Sequence, residues 1–198
     1  MSRLRLAILI SGRGSNMEAL LEAAKAQDYP AQPVLILSNK PDAKGLETAR
    51  SAGIDALAID HRPFGKDREA FEREMDTALK EAGVEIIALA GFMRVLTPWF
   101  VRQWSGRLIN IHPSLLPKYP GLNTHQRAIE AGDSQAGCSV HWVTEGVDEG
   151  EIIAQASVPI EPDDTAETLA ARVLPAEHKL YPEALAKACR TIKPQLSD

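Results

Sequence analysis

The segment LINIHPSLLPKYPG, residues 108–121, starts as an apolar strand yet carries Asn110 and His112 two positions apart. Side chains alternate across a strand, so Leu108, Asn110 and His112 share one face while Ile109 and Ile111 share the other. A carboxamide and an imidazole converging at a strand's carboxyl end suit the chemistry of a carbonyl group. Asn110 can orient the oxygen through its amide, and His112 can donate or accept a proton near neutral pH. The competing reading is a pair of satisfied strand-end residues. Against it stands the exit loop, where Pro113, Pro117, Pro120 and Gly121 stiffen the backbone, as positioning requires. Further on, the acidic turn TEGVDEG, residues 144–150, supplies Asp148. A carboxylate beside His112 would stabilise and orient its protonated form, although no spacing rule brings the two together. Glu145, Glu149 and Glu151 read as solvated turn residues.

A second candidate is SGRGSNMEAL, residues 11–20, directly after the first apolar run. Gly12 and Gly14 permit a tight turn and close backbone approach, and the following helix would aim unpaired N–H groups at a phosphate. Ser15 and Glu18 also fit an S-x-x-E capping box, which would explain the serine as local helix chemistry. A dinucleotide fingerprint fits less well, because Met17 stands in the third glycine's place and the second strand ends in SNK, without an acidic ribose ligand. The nucleotide-triphosphate P-loop is excluded by the lack of Gly-Lys-Ser/Thr. His61, His125, His141 and His178 show no metal-ligand spacing, so no metal is expected.

The elements that must hold these residues alternate regularly. RLAILI, PVLILS, EIIALA and RLINI are short apolar runs separated by stretches of helical composition such as MEALLEAAKAQ and DREAFEREMDTALKEAG. That alternation predicts an α/β fold with a doubly wound, mostly parallel sheet, whose ligands sit outside the strands' carboxyl ends. GCSVHWV and EIIAQASVPI, joined by a turn too short for a helix, predict an antiparallel strand pair toward the C-terminus. The last stretch is helical in composition, with Pro175 and Pro182 expected to kink or restart it. A length of 198 residues suits one domain spanning 1–198. The net charge of −5 argues against nucleic acid as a partner. The run LAILI is too short to span a bilayer, so no membrane partner is expected. Two cysteines without CxxC spacing fit a reducing, cytoplasmic setting.

Taken together, SGRGSN, AGFMRVLTPWFV, NIHPSLLPKYPGLNTHQRAIEAGD, GCSVHWVTEGVDEGEIIAQ and AEHKLYPEAL resemble the phosphoribosylglycinamide formyltransferase family, in order over nearly the whole chain. NIHPSLLP with a later aspartate is common to folate-dependent formyl enzymes in general, whereas the SGRGSN loop suits a ribotide acceptor. The resemblance implies a single Rossmann-like formyltransferase domain that transfers the formyl group of 10-formyltetrahydrofolate, a co-substrate, to the amine of glycinamide ribotide in purine biosynthesis. Two other functions remain to be separated from it: a hydrolase releasing formate without an acceptor, and a non-catalytic ribotide-binding module. A homodimer is allowed, the oligomeric state being left open.

Residue by residue, the resemblance assigns Asn110, His112 and Asp148 to catalysis. Gly14, Ser15, Asn16 and Glu177 are implied to hold the ribotide. Arg68, Met93, Arg94, Val95 and Leu96, together with Asn110 and the turn of Thr144, Glu145, Gly146, Val147 and Asp148, are implied to line the folate site, the turn acting mainly through its backbone. Two positions depart from the pattern. Asn123 stands where many relatives have histidine and receives no role, and Glu151 replaces a frequent proline, which bears on loop rigidity rather than chemistry.

Overall fold

A computed structural model describes residues 3–192 of the chain. Seven strands, β1 (Leu4–Ile10), β2 (Ala31–Ser38), β3 (Asp55–Ala58), β4 (Ile86–Leu89), β5 (Leu108–His112), β6 (Gln135–Trp142) and β7 (Ile152–Pro159), form one sheet in the order β3-β2-β1-β4-β5-β6-β7. The first five in that order pair in parallel, as expected of apolar runs covered on both faces. β6 pairs antiparallel with both of its neighbours. The predicted antiparallel pair is thus β6 and β7, and the reversal begins one strand earlier, at the β5–β6 ladder.

Helices α1 (Ser15–Ala23), α2 (Gly45–Ser51), α5 (Thr124–Glu130) and α6 (Ala166–Ile192) contribute buried side chains to the cluster on one face. α3 (Arg68–Glu81) and α4 (Pro98–Gln103) cover the other with Phe71, Met75, Leu79, Phe100 and Val101. Ile109 and Ile111 of β5 belong to the first cluster and Leu108 to the second, so the alternation read from the sequence is the one observed. Asn110 and His112 therefore project on the α3–α4 side. Strand order reverses between β1 and β4, which leave their shared edge in opposite directions and open a crevice at their carboxyl ends.

Two local readings are corrected, and one strand was not expected. Pro175 and Pro182 both lie inside the continuous helix α6 and neither restarts it. Each removes an i→i−4 bond at a cost of about 3 kcal/mol or more. The stripe of Leu169, Val173, Leu180, Tyr181, Leu185 and Ile192 opposes this loss, since burying a large apolar side chain contributes roughly 1.5–3 kcal/mol. The Ser15–Glu18 capping box does not form: Gly14 is the N-cap, in the left-handed region at φ 77°, and no side chain caps the helix. Ser15 is already helical and therefore stands one position too late to cap. Finally, DALA at β3 escapes notice in the sequence because this edge strand is not fully buried and lacks an apolar run.

Candidate active site

β5 delivers Asn110 and His112 to the carboxyl end of the sheet, and β6 lies beside them with Asn110 opposite His141 and His112 opposite Ser139. Residues directly opposite in an antiparallel ladder point to the same face, so four polar side chains meet there. Ser139 is fully buried and braces the loop that follows β5: its hydroxyl donates to Ser114 O at 2.6 Å and accepts from Leu116 N–H at 3.0 Å. Thr124 Oγ1 donates to Pro113 O at 2.7 Å, and Tyr119 OH donates to Asp133 Oδ2 at 2.7 Å. The rigidity suggested by the prolines is thus supplied mainly by side-chain hydrogen bonds.

The turn after β6 folds back over this face. Gly150 makes that possible, because a Cβ there would lie 1.6 Å from Trp142 O, and Trp142 N–H donates to Glu151 O at 2.9 Å. Glu151 thereby fastens the turn through its backbone, whatever the loss of a proline ring. Asp148 has a left-handed backbone at φ 54°, a conformation that aspartate tolerates better than most residues. Its Oδ2 lies 3.4 Å from His112 Nδ1 and accepts from Gly121 N–H at 2.9 Å. Its Oδ1 lies 3.7 Å from His141 Nε2. The meeting of Asp148 with His112 that spacing left open does occur.

Hydrogen-bond partners assign the protons. His112 Nε2 is 2.9 Å from the carbonyl oxygen of Tyr119 and must donate to it. Nδ1 looks toward the Asp148 carboxylate at 3.4 Å. The expected direct donation from His112 to a substrate is therefore qualified: both ring nitrogens already face protein acceptors. The Nδ1 contact at 3.4 Å is long enough to be shared with an arriving oxygen. Tyr119 itself sits at φ 55°, a costly conformation for a bulky residue, of the kind that collects at functional sites.

His141 is the residue that sequence reasoning passed over. Its Nδ1 is 3.0 Å from Trp142 O and carries the hydrogen, which leaves Nε2 as an acceptor 3.4 Å from Asn110 Nδ2. Burial pushes its pKa below the usual histidine range, so the ring is neutral at pH 7. Neutral His141 thus turns the amino group of the Asn110 carboxamide toward itself and leaves the second N–H of that group available. The signal was present in GCSVHWV, where Ser139 and His141 alternate with Cys138 and Val140 just as Asn110 and His112 alternate with isoleucines.

On the other side of the crevice, the SGRGSN loop leads into α1 with its first N–H groups uncapped, as an anion site requires. Asn16 Nδ2 donates to Glu177 Oε2 at 2.8 Å across 161 residues, and Asn16 Oδ1 is buried without a hydrogen-bond partner among the described residues. Glu177 is 8% exposed, and burial raises its carboxyl above the usual range. It interrupts the apolar stripe of α6, the sequence signal that would have marked it. Of the residues implied for the folate site, Arg68 Nη1 donates to Val95 O at 3.2 Å, and the Arg94 guanidinium lies 5.4 Å from the centre of the Phe71 ring. Leu96 and Val143 pack on the same α3–α4 cluster, which puts residues 93–96 and the 144–148 turn on the face of Asn110. Glu145 pairs with Arg102 at 3.0 Å at the surface, where such a pair contributes little. Asn123 holds φ 56° as the residue before α5, without a capping hydrogen bond.

An open groove of about 790 Å³ beside β3 and α3 contains none of these residues. Two of its charged groups are engaged, Asp60 with Arg62 and Arg73 with Glu69, both at 2.6 Å. No group that could hold a metal ion is found among the described residues, and no described helix is long and apolar enough to cross a membrane.

Comparison with known proteins agrees with this geometry. The formyl transferase family model matches residues 4–185. Phosphoribosylglycinamide formyltransferase of Escherichia coli is 46% identical over 179 residues, covering 90% of this chain and 84% of that protein. The trifunctional purine biosynthetic protein adenosine-3 of Drosophila melanogaster is 54% identical over 186 residues, and the match spans 93% of this chain but 14% of that much longer protein. The crystal structure of phosphoribosylglycinamide formyltransferase from Brucella melitensis superposes with a TM-score of 0.90 at 53% identity, covering 95% of this chain and 96% of that one.

Proposed function

The chain belongs to the formyl transferase family, and on that premise we propose that it moves the formyl group of 10-formyltetrahydrofolate onto the amine of glycinamide ribotide. The observation that carries this reading is the convergence of Asn110, His112 and Asp148 between an uncapped helix start joined to Glu177 and the 93–96 segment.

In this reaction the neutral amine attacks the formyl carbon, building negative charge on the formyl oxygen and positive charge on the nitrogen. Asn110 supplies the N–H that His141 leaves free, and fixed donors aimed at a developing oxyanion are a large source of rate enhancement. The His112 imidazolium adds positive charge beside the same oxygen, its Nδ1–H shared between Asp148 and substrate as the long contact tightens. Asp148 keeps the ring charged and can order the water that carries the proton lost by the attacking nitrogen to the departing folate nitrogen. The bond from formyl carbon to folate nitrogen breaks as the new amide forms, with no covalent enzyme intermediate. The uncapped amides of α1 take the ribotide phosphate, and Glu177 with Asn16 takes polar groups of the sugar and glycinamide. Direct transfer requires that bulk water be kept from the formyl carbon, since hydrolysis of the donor is the competing reaction.

The discriminating assay incubates the protein and formyl donor with and without glycinamide ribotide and follows deformylated folate and formate. Turnover that requires the acceptor and releases no formate is expected. Acceptor-independent formate indicates the hydrolase, and ribotide binding without turnover indicates a binding module. Gly14→Val is expected to raise the ribotide KM far more than the donor KM. The residue has φ 77°, and a Cβ would press against Met17 at 3.2 Å, displacing the helix start. Equal changes in both KM values would detach this loop from the ribotide.

A further inference from the structure

A buried hydrogen bond joins the two substrate segments at the point where the strand order reverses. By sequence Ser11 opens the SGRGSN loop, yet its Oγ accepts the Met93 N–H at 2.8 Å and donates to Asn39 Oδ1 at 2.6 Å. Ser11 is 6% exposed and Asn39 1% exposed. Because a carboxamide oxygen only accepts, the single hydroxyl hydrogen must go to Asn39, and a lone pair is left for Met93. Asn39 follows β2, and its carbonyl accepts from His61 Nδ1 at 2.8 Å. The junction thus gathers the ends of β1 and β2 with the loop after β4.

At its other end, the segment from Met93 is fastened by a second buried acceptor. Thr97 N–H donates to Glu72 Oε1 at 2.8 Å. Between these anchors Met93 and Val95 are 68% and 60% exposed. Residues 93–96 therefore form a strap held at its ends by side chains from elsewhere in the fold, with Leu96 packed inward and the Met93 and Val95 side chains open to a ligand. Removing the Ser11 hydroxyl would leave both the Met93 N–H and Asn39 Oδ1 without the partner each has here, and leaving a buried polar group unsatisfied is costly.

We propose that Ser11 is a positioning residue for the formyl-donor site, fixing the backbone that receives one substrate to the loop that receives the other. This rests on residues 93–96 forming the donor site. The experiment combines steady-state kinetics with amide hydrogen exchange on the full chain. In the unaltered protein the donor should protect the amides of residues 93–96. In Ser11→Ala the Met93 amide should exchange faster and the donor KM should rise roughly tenfold, the size expected for one lost buried hydrogen bond, while the ribotide KM stays where it was. Ser11→Thr, which retains the hydroxyl, should restore the donor KM. A ribotide KM that rises as much as the donor KM, a Met93 amide unaffected by Ser11→Ala, or no rescue by threonine overturns the proposal. If the donor fails to protect residues 93–96 in the unaltered protein, the donor-site reading itself fails and the proposal falls with it. Protection there with an unchanged donor KM in Ser11→Ala removes only the role of Ser11.

Discussion

Asp148→Asn is expected to lower kcat by roughly 10²- to 10⁴-fold, the contribution of a positioned acid–base group, with both substrates still bound. The substitution keeps the shape, and asparagine accepts the left-handed backbone at φ 54° as readily as aspartate does. An amide oxygen can still take the Gly121 N–H now held by Oδ2. What disappears is the charge opposite His112 Nδ1. Nε2 remains committed to donate to Tyr119 O, so the proposed Nδ1 donor loses the negative charge that faces it. Residues acting as one unit lose most of their effect with the first deletion. In a His112→Ala background, Asp148→Asn should therefore cost much less than in the unaltered protein. Kinetics of the two single variants and the double variant check this. Losses that multiply in full would assign Asp148 to loop structure or folate binding instead.

Asn110→Ala is expected to lower kcat by about 10²- to 10³-fold, the range for one oxyanion donor, with the melting temperature little changed. The side chain is only partly buried, and among the described residues its one side-chain hydrogen bond is the 3.4 Å approach to His141 Nε2, so little of the fold's stability rests on it. His141 sets which end of the carboxamide it faces, so on the proposed mechanism Asn110→Asp should fail as a substitute: a carboxylate repels the developing oxyanion. Turnover measured alongside thermal melting decides the matter, and near-full activity in Asn110→Ala would leave the residue as an ordinary strand end.

Much of this arrangement is legible in the sequence because it follows from alternation. The period of two in LINIH places Asn110 and His112 on one face, and β5 bears that out with isoleucines in one core and Leu108 in the other. What alternation cannot supply is pairing across the chain. Nothing in TEGVDEG indicates that Asp148 returns to His112, because the return depends on Gly150 lying against Trp142 and on a left-handed residue at 148. Asn16 and Glu177, 161 positions apart, meet only once α6 has packed beside α1. Ser11 is a further case: its motif assigns it to one loop, and its hydrogen bond ties it to another. The capping box misled because S-x-x-E is a local pattern, whereas Gly14 moves the cap one residue earlier. The prolines of α6 do not restart the helix for the opposite reason, since tertiary burial outweighs a local penalty.

The most direct measurement of the central claim is the fate of the formyl carbon. Protein incubated with 10-formyltetrahydrofolate carrying a ¹³C formyl group and with glycinamide ribotide can be followed by carbon NMR. The predicted result is loss of the donor signal matched by a new formamide signal on the glycinamide nitrogen, with no labelled formate and with the rate collapsing in Asp148→Asn. Labelled formate as the main product, or a transfer rate indifferent to Asp148, would contradict the mechanism at its centre.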